Sequence, residues 1–293
     1  MLTRSTEGVD PASDDLHALP AEVAMTRLLV SQQAALRSVE AAIPALARAA
    51  EAAAGALRNG GKLGYAGAGS SGLMALADCL ELPGTFGLDP GQTPMLFAGG
   101  ADALLRMVGS VEDDATAALA DLERAGLGPG DALIVVSASG ETPYALTIAE
   151  AARQRGVTVV AIANAPGSAL LSLAQVPVLL DSGPEMVAGS TRMGAGTAQK
   201  VALNMVSVMV ALHLGHVYRG RMVNLIADNA KLIARATRIV ADLAATPPEK
   251  AQAALECCGG TVKTAVLVAR GHTPADAEAA LQNSGGSLAP ILG

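Results

Sequence analysis

The sequence predicts an α/β fold: a doubly wound, five-stranded parallel sheet, with N-terminal helices before it and a small C-terminal helical module after it. Three observations predict this. Apolar runs rich in β-branched residues recur between helical stretches, most clearly Asp131–Ser137 (DALIVVS) and Val157–Asn164 (VTVVAIAN). These runs do not alternate apolar with polar residues, which suits parallel strands covered on both faces. Strand and helix signals alternate at the spacing that places helices on both sides of one sheet.

The elements follow in order. Thr3–Leu19 is polar and turn-rich. Ala21–Arg58 is rich in Ala, Leu, Arg and Glu and reads as helix, with Pro44 expected to divide it in two. Asn59-Gly60-Gly61 stops it. Lys62–Ala66 is a short strand, Ser71–Leu80 a helix, Pro94–Ala98 a second strand, and Ala101–Val108 and Asp113–Arg124 are helices. The strand Asp131–Ser137 leads to a helix over Pro143–Arg155. The strand Val157–Asn164 and a fifth, Val176–Leu180, complete the sheet. Helix resumes over Arg192–Leu214 and again over Met222–Leu243. Pro247-Pro248 marks a break before two or three short helices. The domain reading is an N-terminal helical segment over 1–58, the sheet domain with its following helices over 59–243, and the helical module over 244–293.

Composition narrows the function. The chain has 293 residues, a net charge of −7 and aromatic residues at only 2%. An acidic chain poor in aromatics does not suit nucleic acid, which wants a basic face and stacking rings. It does not exclude a small anion, because backbone N–H groups at helix N-termini bind phosphate without Lys or Arg. The three cysteines, Cys79, Cys257 and Cys258, include an adjacent pair and an odd one. That pattern is not a disulfide framework and fits a reducing, cytoplasmic setting. Nothing near Met1 reads as a signal peptide. The apolar run Val201–Leu214 is interrupted by Asn204 and is shorter than the ~20 residues of a membrane span, so it reads as a buried helix and no membrane partner is expected.

Two loops carry the chemistry. Gly67-Ala68-Gly69-Ser70-Ser71-Gly72 follows the first strand, and Ser137-Ala138-Ser139-Gly140-Glu141-Thr142 follows the third, with Pro143 opening the next helix. In an open α/β sheet, ligands bind beyond the C-terminal ends of strands. There glycines let backbone approach the ligand, small hydroxyls donate hydrogen bonds, and the next helix favours negative charge. The first loop lacks the later acidic residue of a dinucleotide fingerprint and the Gly-Lys-Ser/Thr of a nucleotide P-loop. Gly69, Ser70, Ser71, Ser137, Ser139, Gly140 and Thr142 are therefore the candidate phosphate-binding residues.

The pair of loops resembles the sugar isomerase (SIS) domain. Further segments narrow the likeness: Thr6-Glu7, Asp10-Pro11-Ala12-Ser13, Glu81 with Pro83 and Thr85-Phe86, and Val111-Glu112-Asp113-Asp114. Later come Gly183-Pro184-Glu185, Gly189-Ser190-Thr191-Arg192-Met193, Ala195-Gly196-Thr197-Ala198-Gln199-Lys200 and Asn229-Ala230-Lys231-Leu232. In this order they resemble the N-acetylmuramic acid 6-phosphate etherase family over nearly the whole chain, a branch related to the glucokinase regulatory protein. The resemblance implies a lyase of amino-sugar and cell-wall recycling, acting on a phosphorylated amino sugar as a homodimer, without metal or cofactor. It implies Glu112 as the base that removes the C2 proton and Glu81 as the acid that protonates the departing lactyl ether oxygen. Leu80-Glu81-Leu82-Pro83 is apolar, and that setting is expected to keep Glu81 protonated. His213 and His216 fall on an apolar helix and read as structural.

The sequence departs from the family at three places. Leu73 and Gly194 replace cations, and Glu141 brings an acid into the second loop. A carboxylate there opposes an anionic substrate unless it points away or pairs with Arg192 or Lys200. Two alternatives therefore stand beside the etherase: an aldose–ketose isomerase, favoured by Glu141, and a sugar-phosphate-binding regulator without turnover, disfavoured by the paired glutamates.

Overall fold

The structure of the chain, a computed structural model, describes residues 7–293; Thr6, quoted above with Glu7, lies outside the described residues. The α/β class is as the sequence predicts. Strands β1 (Leu63–Gly67), β2 (Met95–Phe97), β3 (Ala132–Ser137), β4 (Thr158–Ala163) and β5 (Val176–Leu179) pair in parallel in the order β2-β1-β3-β4-β5. This order reverses between β1 and β3. Chain leaving the two strands diverges there, which opens a crevice at their C-terminal ends.

Side chains alternate across each strand. Ala66, Leu133, Val135, Val159 and Ala161 pack in one core with Leu122 of α4 (Ala115–Ala125), Tyr144 and Ile148 of α5 (Pro143–Gln154) and Leu170 of α6 (Ala169–Leu173). The alternate set, Tyr65, Ile134, Val136, Val160 and Ile162, is equally buried, and α1 (Ala21–Arg58) runs along β1, β3 and β5. Burial on both faces is why these strands read as unbroken apolar runs. Helices α2 (Gly69–Phe86) and α3 (Gly100–Leu105) flank β2 in sequence, and α7 (Gly194–His213) follows the sheet.

Expectations change at Pro44, at Met222 and in α2, whose end the sequence places at Leu80 but which runs on through Pro83 to Phe86. Pro44 does not divide the first helix: α1 is continuous over 38 residues. A proline removes one N–H and frees the carbonyl four residues back. Pro44 and Glu40 are both exposed, so water can satisfy that carbonyl, while the buried stripe Ala35, Val39, Ala42, Leu46, Ala49 and Ala53 continues past it at helical spacing. The helix expected from Met222 starts later, as α8 (Ala230–Ala244), because the Asn229 side chain accepts from the Leu232 N–H at 3.0 Å and caps it. Met222 instead lies on a short hairpin, β6 (Val217–Tyr218) with β7 (Arg221–Met222).

The described residues group into two compact units. One comprises the chain through Cys79 together with Gly91–Ser207, and holds the five-stranded sheet. The other comprises Leu80–Pro90 and Val208–Gly293. Its core joins Val223, Ile239, Val240 and Leu255 to Val262, Val266 and Leu288, gathering α8, α9 (Pro248–Cys257), α10 (Val262–Ala269), α11 (Pro274–Asn283) and α12 (Ala289–Leu292). In this unit His216 is drawn down to about 4 by burial and then by the Lys263 charge, so it is a neutral structural imidazole near neutral pH.

In the sheet unit, Glu185 caps α7. It is 2% exposed, and its two carboxylate oxygens accept from the Gly194 and Ala195 N–H groups, each at 2.8 Å. A carboxylate is favoured at a helix N-terminus, where unpaired N–H groups and the helix dipole converge. A Cβ at Gly194 would sit 3.1 Å from Glu185 Oε2 and 3.3 Å from the Ala35 Cβ, a tight fit. Glu185→Ala is expected to cost about 3 kcal/mol, seen as a fall of roughly 5–10 °C in Tm by calorimetry.

Candidate active site

A cavity of about 470 Å³ opens at the β1/β3 crevice. Ser70 and Ser71 reach it from the start of α2, Ser137 from the end of β3, and Ser139 and Thr142 from the loop between β3 and α5. The two predicted hydroxyl-bearing loops thus share one cavity. Gly69 and Gly140 shape the loops rather than line the space. Gly69 has φ +53° and a Cβ on it would fall 2.5 Å from Glu112 Oε1. Gly140 has φ +63°, and a Cβ there would fall 2.3 Å from Ser168 Oγ. Both conformation and space therefore select glycine.

The second loop is held by its own hydrogen bonds. Ser137 Oγ lies 3.0 Å from Thr142 Oγ1 and accepts from the Gly140 N–H at 3.1 Å. Ser139 Oγ accepts from the Glu141 N–H at 3.2 Å. The Glu141 carboxylate is not paired with Arg192 or Lys200. Its Oε1 accepts from the Ala169 N–H at 2.9 Å, at the start of α6. One oxygen of the added acid is thus committed to backbone, although Glu141 still borders the cavity.

Glu112 lies on a 3-10 turn over Gly109–Asp113, just before α4. Asp114 supplies the cap of α4, accepting from the Ala117 N–H at 2.8 Å, so Glu112 is not needed there. It reaches the main cavity and also borders a smaller one of about 90 Å³ walled by Phe97, Ala98, Ala103, Met107, Val108 and Val111. Burial raises its pKa above the ordinary carboxylate value, and the neighbouring Asp113 charge adds to this. A carboxylate made more basic in this way suits proton abstraction.

Glu81 is placed differently from expectation. It lies within α2, not at its end, in the segment that belongs to the second unit. Glu81 is exposed, and Leu80 beside it is 68% exposed. The apolar surroundings read from Leu80-Glu81-Leu82-Pro83 are thus missing around this side chain, because helical spacing buries Leu82 and turns Leu80 outward.

Sequence reading missed Glu7 and Thr191 as wall residues, having quoted both only as parts of longer motifs. A parallel bridge between Val9 and Glu185 holds the chain beside Glu7 and accounts for the presence of Glu7, whose carboxylate approaches Gly189. Nothing local in Glu7-Gly8-Val9 signals this, since both partners lie far along the chain. The finished wall carries Glu7, Glu112, Asp113 and Glu141, and among the described residues no Lys, Arg or His lines it. What the described residues offer an anion here is hydroxyls, backbone N–H groups and the helix starts at α2 and α5.

Comparison with known proteins bears on the fold and the family. The SIS domain family matches residues 30–164. The phosphoheptose isomerase of Francisella tularensis superposes with a TM-score of 0.50 at 22% identity, covering 65% of this chain and 97% of that one, which establishes the common fold. The N-acetylmuramic acid 6-phosphate etherase of Deinococcus radiodurans is 43% identical over 291 residues, 99% of this chain and 95% of the relative. Etherase 1 of Vibrio cholerae serotype O1 is 40% identical over 276 residues, 94% of this chain and 92% of the relative. With 43% identity over 99% of its length, the chain belongs to the N-acetylmuramic acid 6-phosphate etherase family.

Proposed function

We propose that the protein is a lyase that cleaves the lactyl ether of N-acetylmuramic acid 6-phosphate, giving N-acetylglucosamine 6-phosphate and D-lactate. The observation that carries this is the end-to-end likeness to etherases at 43% identity. The phosphate would lie against Ser70, Ser71, Ser137, Ser139 and Thr142, with Gly69 and Gly140 setting the loops. In the open-chain sugar the C1 aldehyde acidifies the C2 proton. Glu112 takes that proton, the C2=C3 double bond forms, and the C3–O bond breaks. The acid is assigned by the family resemblance and not by the cavity wall, which Glu81 does not line: in this proposal Glu81 gives its proton to the departing lactyl oxygen. Water then adds across the double bond, its hydroxyl to C3 and its proton to C2, to complete the product. Neither step consumes an oxidant or needs a metal.

A homodimer is part of the proposal. Met25, Leu29 and Val30 on α1 are exposed, and so is Leu80 on α2 beside Glu81. Such surfaces are what a second copy would cover. The cytoplasm is the proposed setting, in keeping with three free cysteines. The test is release of D-lactate from N-acetylmuramic acid 6-phosphate by the purified protein, read with lactate dehydrogenase. Tight binding of the substrate with no lactate would select the regulator instead.

The base must also be held in place. Gly69→Ala would bring a methyl group to 2.5 Å from Glu112 Oε1 and push the carboxylate aside. The expected result is a fall in kcat of about 30-fold with the far-ultraviolet spectrum retained, because displacing a reacting group by ~1 Å costs on this scale. An unaltered kcat would show that the carboxylate works from another place.

A further inference from the structure

Ser71 differs from the other hydroxyls of the cavity in what surrounds it. Its Oγ accepts two hydrogen bonds, from the Ala138 N–H at 3.1 Å and from Gln199 Nε2 at 3.1 Å. A hydroxyl has two acceptor lone pairs and one proton. With both lone pairs engaged from the protein side, the proton is what remains to face the cavity, which Ser71 lines.

The direction of the Gln199 amide is fixed from further back. Asn164 donates through Nδ2 to the Leu180 carbonyl at 2.9 Å and to Ser182 Oγ at 3.3 Å. A backbone carbonyl can only accept, so the Asn164 amide cannot turn round. Its Oδ1 must then face Gln199, and it receives Nε2 at 2.8 Å. A turned Gln199 would set two carbonyl oxygens against each other. Polarity therefore passes one way, from the Leu180 carbonyl through two buried amides to the Ser71 hydroxyl. Asn164 and Gln199 are both 0% exposed, and Gln199 Oε1 is buried with no hydrogen-bond partner among the described residues. Buried amides are ordinarily satisfied. The pair is thus arranged for what Nε2 does at Ser71 and not for its own hydrogen bonding.

We propose that Gln199 is a positioning residue that forces Ser71 to present its proton to the bound phosphate. The inference rests on the reading of this cavity as the sugar-phosphate site. In a wall where the described residues include no Lys, Arg or His, a hydroxyl turned the wrong way would offer lone pairs to an anion, so fixing its direction matters more than it would beside a cation.

The test is a double-mutant cycle with Ser71→Ala and Gln199→Met, repeated with Gln199→Glu, which keeps the side chain's shape but replaces the donor with an acceptor. N-acetylglucosamine 6-phosphate binding is measured by calorimetry, and KM and kcat by lactate release, with Tm checked throughout. The expected result is a ~10-fold rise in Kd and KM for Gln199→Met, with kcat reduced less than ~3-fold. In the Ser71→Ala background the same substitution should add less than ~2-fold. An equal loss in both backgrounds would overturn the inference and mark Gln199 as merely structural. So would an unchanged Kd in both folded Gln199 variants. Ser71→Ala binding N-acetylglucosamine 6-phosphate as tightly as the parent would instead sink the reading of the phosphate site itself. Should Gln199→Met fail to fold, the Gln199→Glu cycle decides by the same criteria.

Discussion

Glu112→Gln is expected to lower lactate release at least ~100-fold, and toward 10⁴-fold, while binding of N-acetylglucosamine 6-phosphate persists. Gln has nearly the same size and can occupy the same place against Gly69, but it cannot take up a proton at working pH. The parent enzyme should also show an acid limb in kcat/KM. A base acts only when deprotonated, so activity is gained as pH rises through the Glu112 pKa and lost as it falls. Burial first, and the Asp113 charge second, hold that pKa above the ordinary carboxylate range. The limb should therefore fall above the ~4.3 of a free glutamate. Asp113→Asn removes the neighbouring charge and should move the limb to lower pH. Full activity in Glu112→Gln would take this residue out of the mechanism.

Glu81→Gln is expected to cost at least ~100-fold with the natural lactyl ether, because the leaving oxygen then departs without a proton. The two glutamates can be told apart by isotope exchange. With the acid removed and the base intact, C2 hydrogen should still exchange with deuterated water, since proton removal precedes ether cleavage. With the base removed, exchange should stop. An analogue whose leaving group is an acidic phenol in place of lactate should restore much of the loss in Glu81→Gln and little in Glu112→Gln. Retained lactate release in Glu81→Gln would assign the acid elsewhere.

Much of the sheet is legible because its strands are buried on both sides. Asp131–Ser137 and Val157–Asn164 match β3 and β4 to within a residue at each end, since a β-branched run has little other use in a chain of this kind. The two loops are legible because each lies where a strand ends and a helix begins. What fails depends on surroundings. Pro44 reads as a break until its exposure is known. Met222–Leu243 reads as one helix until Asn229 is seen to cap it from within. Leu80 looks like shelter for Glu81 and is turned to the surface. Glu185 and Gln199 sit in motifs that mark the family, but their partners lie elsewhere in the chain, so the motif gives no hint of helix capping or of a hydroxyl's direction.

That the described residues of the wall include no cation has a kinetic consequence. A phosphorylated sugar acid approaches a protein of net charge −7 through an opening edged by Glu7, Asp113 and Glu141. Long-range forces oppose the encounter, and attraction begins only within reach of the N–H and O–H groups at the bottom. Dissolved salt should thus hasten capture by screening the repulsion, where a lysine-lined site would be slowed. The short-range dipoles that retain the ligand are little affected by such screening, so its rate of escape should change far less.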